Sequence, residues 1–234
     1  MPSYEITAEF YDLLQATRYV REAGALLDRW LGRPRVGVLD VGAGTGLATE
    51  LLAKRCDVTV HAVEPTRSMR TVLLSRLAGR PELLARVRVY HRPIQDLGLE
   101  RVADFGLCLN TMGTLAHDER AAALTALADA LVPDATLVVQ RPPDAPGRPH
   151  AALPSWHLGG DVYSGEVTRI QNRASTIEWR FTYRVTRDDT VIREEVETFD
   201  GFLVSADEFT GDLRDAGFVV ADVDRDVVVA QRAN

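Results

Sequence analysis

The chain has 234 residues, 46% of them hydrophobic and 26% charged, with a formal net charge of -7. This is globular composition, long enough for a core without staples, and its acidic balance argues against nucleic acid, since no dense run of arginines supplies the basic patch a polyanion needs. Two cysteines form neither CxxC nor a metal-ligand cluster, no apolar stretch approaches ~20 residues, and MPSYEITAEF is no signal peptide, so the expectation is a soluble cytoplasmic protein without metal or membrane contact.

Residues 4–31 place Phe10, Leu13, Leu14, Val20, Leu26, Leu27, Trp30 and Leu31 at three- and four-residue spacings, which predicts helix. A break near Gln15 to Thr17 is expected to divide it in two, and Gly32 and Pro34 to stop the second half. Val36 to Val41 is a short, nearly all-apolar strand of the kind buried on both faces of a parallel sheet. Residues 45–55 read as helix, DVTVHAVE as the second strand, Pro65 to Leu77 as helix, VRVYH as the third strand and VADFGLCL as the fourth. Asp118 to Leu131 is helical and ATLVVQR is a fifth strand. Alternation at this pace predicts a mostly parallel sheet covered on both faces.

The pattern then changes. Pro142, Pro143, Pro146, Pro149 and Pro154 mark residues 142–160 as a loop. Asp161 to Phe199 reads as a three-stranded antiparallel meander, with Ile177, Trp179, Phe181, Tyr183 and Val185 on one face. Glu178, Arg180, Thr182 and Arg184 lie on the other, part of an arginine-bearing face (Arg173, Arg180, Arg184, Arg187, Arg193) balanced by glutamates. Ser205 and Glu208 have capping-box spacing, Gly217 ends that helix, and FVVADV with DVVVAQR makes a closing antiparallel pair. The expected fold is α/β and Rossmann-like: a mostly parallel seven-stranded sheet with a C-terminal antiparallel pair and a three-stranded antiparallel insert. The expected organisation is a helical cap over 1–35, a core of 36–160 with 201–234, and a β subdomain over 161–200.

The segment Val38-Leu39-Asp40-Val41-Gly42-Ala43-Gly44-Thr45-Gly46 carries most of the chemistry. A buried strand turns there into a helix, and glycines permit close backbone approach where the helix N-terminus presents free N–H groups. Glu64, at the tip of the second strand, borders the same crevice and can accept two hydrogen bonds from a ribose diol. The glycine spacing is not the dinucleotide G-x-G-x-x-G, and no G-K-[ST] follows, which excludes a Walker A loop.

VLDVGAGTG followed by VHAVEP resembles motif I and the following acid of class I S-adenosylmethionine-dependent methyltransferases. The resemblance implies S-adenosyl-L-methionine as cofactor. Gly42, Ala43, Gly44 and Gly46 would pass its methionine part, Asp40 would help place its amino-acid end, and Glu64, with Pro65 beside it, would bind the ribose. The family has an acid and an apolar residue after strand three; here Pro93 replaces the acid, Ile94 takes the apolar place, and Gln95 or Asp96 is left for the adenine amino group. Asn110 would border cofactor and substrate. EFYDLL resembles the opening of small-molecule N-methyltransferases, including those acting on the amino group of nucleotide-linked deoxysugars in antibiotic biosynthesis. That resemblance implies a lid with Tyr11 and Tyr19 in the pocket and Arg18 near the cofactor carboxylate. It also implies an insert that covers the site or pairs subunits in a homodimer.

Methyl transfer needs in-line alignment and sometimes proton removal. His117 and His157, with Tyr11, are the catalytic candidates. The leading expectation is methylation of a small-molecule nitrogen by positioning. The alternatives are O-methylation with His117 or His157 as base, and a non-catalytic cofactor-binding scaffold.

Overall fold

The computed structural model describes residues 4–173 and 175–234. Residues 1–3 of the expected cap and the side chain of Arg173 lie outside the described residues. Twelve strands form two sheets. The first has seven strands in the order β11-β12-β5-β4-β1-β2-β3: β1 (Gly37–Val41), β2 (Thr59–Val63), β3 (Val87–Tyr90), β4 (Ala103–Cys108), β5 (Leu131–Gln140), β11 (Phe218–Asp224) and β12 (Val227–Arg232). The first five pair in parallel, and β12 runs antiparallel to both β5 and β11. Every residue of β1 is buried, Asp40 included, as expected of a nearly all-apolar central strand. Helices α2 (Leu47–Arg55) and α3 (Arg67–Ala78) cover one face, α5 (His117–Ala130) and α6 (Ala206–Asp215) the other; the short α4 (Pro81–Leu84) precedes β3.

The N-terminal helix is continuous. Helix α1 (Thr7–Trp30) runs 24 residues with no break at Gln15 to Thr17. Gln15, Ala16 and Thr17 include no helix breaker, and the change of apolar phase there marks a change of partner. Phe10 and Leu14 are buried against Tyr183 and Val185 of the second sheet, whereas Ala23, Leu27 and Leu31 pack on the first. Burying side chains of this size stabilises by roughly 1.5–3 kcal/mol each. One helix therefore fastens two sheets together.

The second sheet is larger than expected. Its long strands β8 (Asp161–Arg173), β9 (Thr176–Arg187) and β10 (Thr190–Phe202) are the three of the predicted meander. Two short strands, β6 (His150–Ala152) and β7 (Trp156–Leu158), join β8 from the segment expected to be a loop. The prolines leave just enough N–H groups between them for a three-residue ladder on each side of Pro154. Pro142 is buried, and Val204 N–H donates to the Pro143 carbonyl at 2.9 Å, so the start of this segment is packed, whereas most of residues 144–160 are exposed.

The outer face of the second sheet is a lattice of cross-strand ion pairs. Arg184 meets Glu194 at 2.6 Å and Glu166 at 2.9 Å, and Arg187 meets Asp161 at 2.7 Å; within β9, Arg180 meets Glu178 at 3.0 Å. At the cap of α6, Ser205 Oγ accepts the Glu208 N–H at 3.1 Å. The reciprocal half of the expected box is replaced, because the Glu208 carboxylate turns to the buried Arg120 at 3.1 Å, which also bonds Asp212 at 2.7 Å. A buried guanidinium is costly unless paired, and this pairing fixes α6 on α5. Cys56 and Cys108 are free, buried thiols, as expected. No helix among the described residues is long and apolar enough to cross a membrane.

Candidate cofactor and substrate cavity

A cavity of about 1100 Å³ opens at the C-terminal ends of β1, β2, β4 and β5, the place where open α/β sheets take ligands. The turn after β1 forms its floor. Gly42 and Ala43 N–H both donate to the Val63 carbonyl, at 2.9 and 3.0 Å, so strand β2 holds the turn open. Gly42 (φ +74°) is irreplaceable for packing: a Cβ there would lie 1.9 Å from Thr111 Oγ1. Gly44 (φ +56°) differs. Its added Cβ would meet nothing nearer than the Gly42 carbonyl at 3.9 Å, so this backbone faces open cavity. Gly46 does not line the cavity; it caps α2 and packs on Leu73.

Glu64 is 6% exposed, and its carboxylate accepts Gly44 N–H at 2.8 Å and Thr66 N–H at 2.7 Å. Burial raises its pKa; those backbone bonds and Arg70 oppose the rise. Asp40, expected to help place the cofactor's amino-acid end, lies beneath the turn and is not among the residues that line the cavity. Burial raises its pKa to about 7, although Thr49 Oγ1 donates to it at 2.6 Å. On the third side Pro93, Ile94 and Gln95 line the wall at a short 3-10 turn, Ile94–Asp96, with Ile94 buried. Asp96 is exposed and outside the wall, so of the two candidates for the adenine amino group only Gln95 reaches the cavity.

Helix α1 closes the top with Tyr4, Thr7, Tyr11, Gln15 and Tyr19. Asp12 clips this helix to the glycine turn: Thr45 Oγ1 donates to it at 2.6 Å, and Arg76 bonds both the Asp12 carboxylate and, at 2.9 Å, the Thr45 carbonyl. Burial pushes the Tyr11 hydroxyl up to about 12 and Tyr19 well above its usual value, so both are neutral phenols at pH 7. Arg18 points away, exposed and paired with Glu22 at 2.9 Å. It neighbours Tyr19, and adjacent helical residues stand about 100° apart, so both cannot face the pocket.

The insert supplies the far wall with Trp179, Phe181, Thr198, Phe199 and Phe202. Tyr4 stacks on Phe199 with centroids 4.3 Å apart, joining helix to insert. Arg141, Arg148 and Arg169 stand at the mouth. Periodicity grouped the aromatic face of β9 correctly, but nothing local showed what that face meets. Gln15, Thr66, Arg148 and Arg169 carried no sequence signal.

Neither catalytic histidine reaches the cavity. His117 is exposed at the start of α5, 3.1 Å from Asp118, and His157 is exposed on β7. The sharp 112–114 turn uses up the chain between β4 and α5 and leaves His117 outside. Tyr11 lines the cavity, and the Asn110 side chain opposes the rise of its pKa. Among the described residues no group of three His, Cys, Asp or Glu is placed to hold a metal.

Residues 38–134 match a family model described as "Methyltransferase domain". No curated protein matches the chain by sequence. Three solved structures share its fold. CalS10, described as an amino pentose methyltransferase from Micromonospora echinaspora, is 22% identical over 94% of this chain and 90% of its own, with a TM-score of 0.70. The sugar N-methyltransferase KedS8 from Streptoalloteichus sp ATCC 53650 is 21% identical over 94% and 87%, with a TM-score of 0.71. Streptomyces venezuelae DesVI is 18% identical over 97% and 96%, with a TM-score of 0.78. The chain has the fold of class I S-adenosylmethionine-dependent methyltransferases over nearly its whole length, and residues 38–134 match the methyltransferase domain model.

Proposed function

With a methyltransferase domain over residues 38–134 in a class I methyltransferase fold, we propose that the protein transfers a methyl group from S-adenosyl-L-methionine to a nitrogen of a small molecule, an amino sugar being the acceptor class best supported. One observation carries the cofactor half: the open backbone face of Gly44 and the buried Glu64 carboxylate, bonded to each other at 2.8 Å, meet on one wall of an 1100 Å³ cavity. A nucleoside lying there would exchange hydrogen bonds with Glu64 through its ribose and rest its base on Ile94. Its amino-acid end would face the Gly42–Gly44 backbone and the α1 tyrosines.

The cofactor supplies an electrophilic methyl group; the chain need only hold an acceptor in line, keep water out and leave the nitrogen lone pair free. No histidine is among the described residues that line the cavity, which favours a nitrogen nucleophile, neutral once bound, over a hydroxyl that needs a base. The aromatic wall of Trp179, Phe181 and Phe199 suits the apolar face of a sugar ring, and CalS10 and KedS8 are described as acting on sugars. Titration calorimetry with S-adenosylmethionine, followed by methyl transfer to paired amino and hydroxyl sugars, tests the reading. Micromolar binding and transfer to the amino member are expected. Absent binding overturns the cofactor half; transfer only to the hydroxyl member overturns the acceptor half.

A further inference from the structure

The cavity wall on which a base would rest lacks the acid that the family resemblance implies. Pro93 stands in its place, and Asp96 is exposed and off the wall. An adenine resting on Ile94 carries a 6-amino group, and a donor taken out of water needs an acceptor. Gln95 lines the same wall, but its amide accepts or donates by turning over, so it would hold a 6-amino and a 6-oxo base alike.

A second acceptor faces this turn from α5. Glu119 lines the cavity, and so does Ala123, four residues on and therefore on the same face of the helix. Ala123 shares one buried cluster with Ile94 and Met112, and α5 packs on the 94–96 turn, so this face looks across at Ile94. Glu119 stands one turn nearer the helix start. Its Oε2 accepts the Ala116 N–H at 3.1 Å, which folds the side chain back toward Thr114 and Leu115, both on the cavity wall. Oε1 has no hydrogen-bond or ion-pair partner among the described residues. The cap uses one carboxylate oxygen, and the fold gives the other no task.

Resting on the cofactor assignment above, we propose that Glu119 Oε1 accepts an N–H of the cofactor's 6-amino group and is the residue that selects adenine over other purines. A carboxylate accepts and cannot donate, so it would set its charge against the 6-oxo oxygen of hypoxanthine or guanine. The acid that reads the base thus comes from the helix after β4 and not from the turn after β3.

The test is calorimetry on the full chain with S-adenosylhomocysteine and with its 6-oxo (inosine) analogue, melting temperature being measured alongside. The wild type should bind the adenine form about 100-fold more tightly. Glu119→Gln keeps an oxygen for the Ala116 cap and then turns an NH2 group to the base. It should weaken the adenine form about tenfold, strengthen the 6-oxo form and bring the two within about threefold, with the melting temperature within about 2 °C of wild type. Gln95→Ala should leave the wild-type ratio standing. A ratio that Glu119→Gln leaves within about threefold of wild type overturns the inference, as does one that collapses in Gln95→Ala; binding of S-adenosylhomocysteine by the wild type keeps the cofactor assignment intact in either case. An equal loss of affinity for both forms marks a structural role and also overturns it. A wild-type protein that binds neither form overturns both the inference and the cofactor assignment.

Discussion

The cavity has two walls of opposite origin. The rim of residues 41–45 and 64 is backbone: N–H groups, left-handed glycines and one carboxylate, all within a single strand–turn–helix–strand unit. The wall of residues 177–202 is side chain: aromatic rings from strands that meet the rim through α1 and the 112–114 turn. A backbone wall recognises what all users of one cofactor share and tolerates almost no change in its own residues. A side-chain wall can be altered ring by ring without disturbing the fold of the rim, which is how one scaffold serves many acceptors.

The sharpest way to break this comparison is a pair of glycine substitutions. Gly42→Ala should cost about 3 kcal/mol or more, since its Cβ would lie 1.9 Å from Thr111 Oγ1 in a left-handed backbone. Gly44→Ala should cost only about 1 kcal/mol by denaturant unfolding yet abolish cofactor binding, because its Cβ enters the space a ligand would occupy. Equal stability losses for the two would contradict the division into a packed and an open glycine.

On the other wall, Trp179→Ala should destabilise by about 3 kcal/mol, as its ring fills the space over Gly201 and Gly113. Calorimetry should find cofactor affinity within about threefold of wild type and a raised KM for the acceptor. A tenfold weaker cofactor would mean the walls are not separable.

The rim also predicts a pH dependence. Asp40, with a pKa raised to about 7, and Glu64, raised in the same direction, hold protons in the folded state that the unfolded chain has released. The unliganded protein should therefore lose stability as pH rises from 4 to 7, on the order of 1 kcal/mol per unit from Asp40 alone, and level off above. Thermal melts of Asp40→Asn should show a flatter profile; an unchanged slope would mean the carboxyl is not the source. The smallest effect belongs to the outer face of the insert, where Arg184→Gln removes partly exposed pairs and should shift stability by less than about 1 kcal/mol, less still in high salt.

The same division governs what could be read from the chain alone. The glycine turn, Glu64 and the alternation of parallel strands with helices were legible because each is written in contiguous residues: a nearly all-apolar strand, glycines at the turn, an acid at the next strand tip. The cap at Ser205 was legible for the same reason, but not its partner, since Glu208 is drawn off by Arg120 across 88 residues. The supposed break at Gln15 to Thr17 shows the converse: a helix that changes partners midway looks, in sequence, like two helices. His117 and His157 were plausible by position along the chain and fell outside the cavity because a turn and a strand edge, not spacing, set their direction.

Sequence alone determined the α/β class, the cofactor-type crevice and the inward face of the insert, because hydrophobic period and turn chemistry act within a few residues. Only the tertiary structure decided that Asp40 stands behind the wall, that Asp12 clips the lid to the glycine turn, and that Asn110 is held by Gln140 and Asp226. Those contacts join residues 30 to 86 positions apart, and such pairs leave no local trace until the folded sheets bring them together.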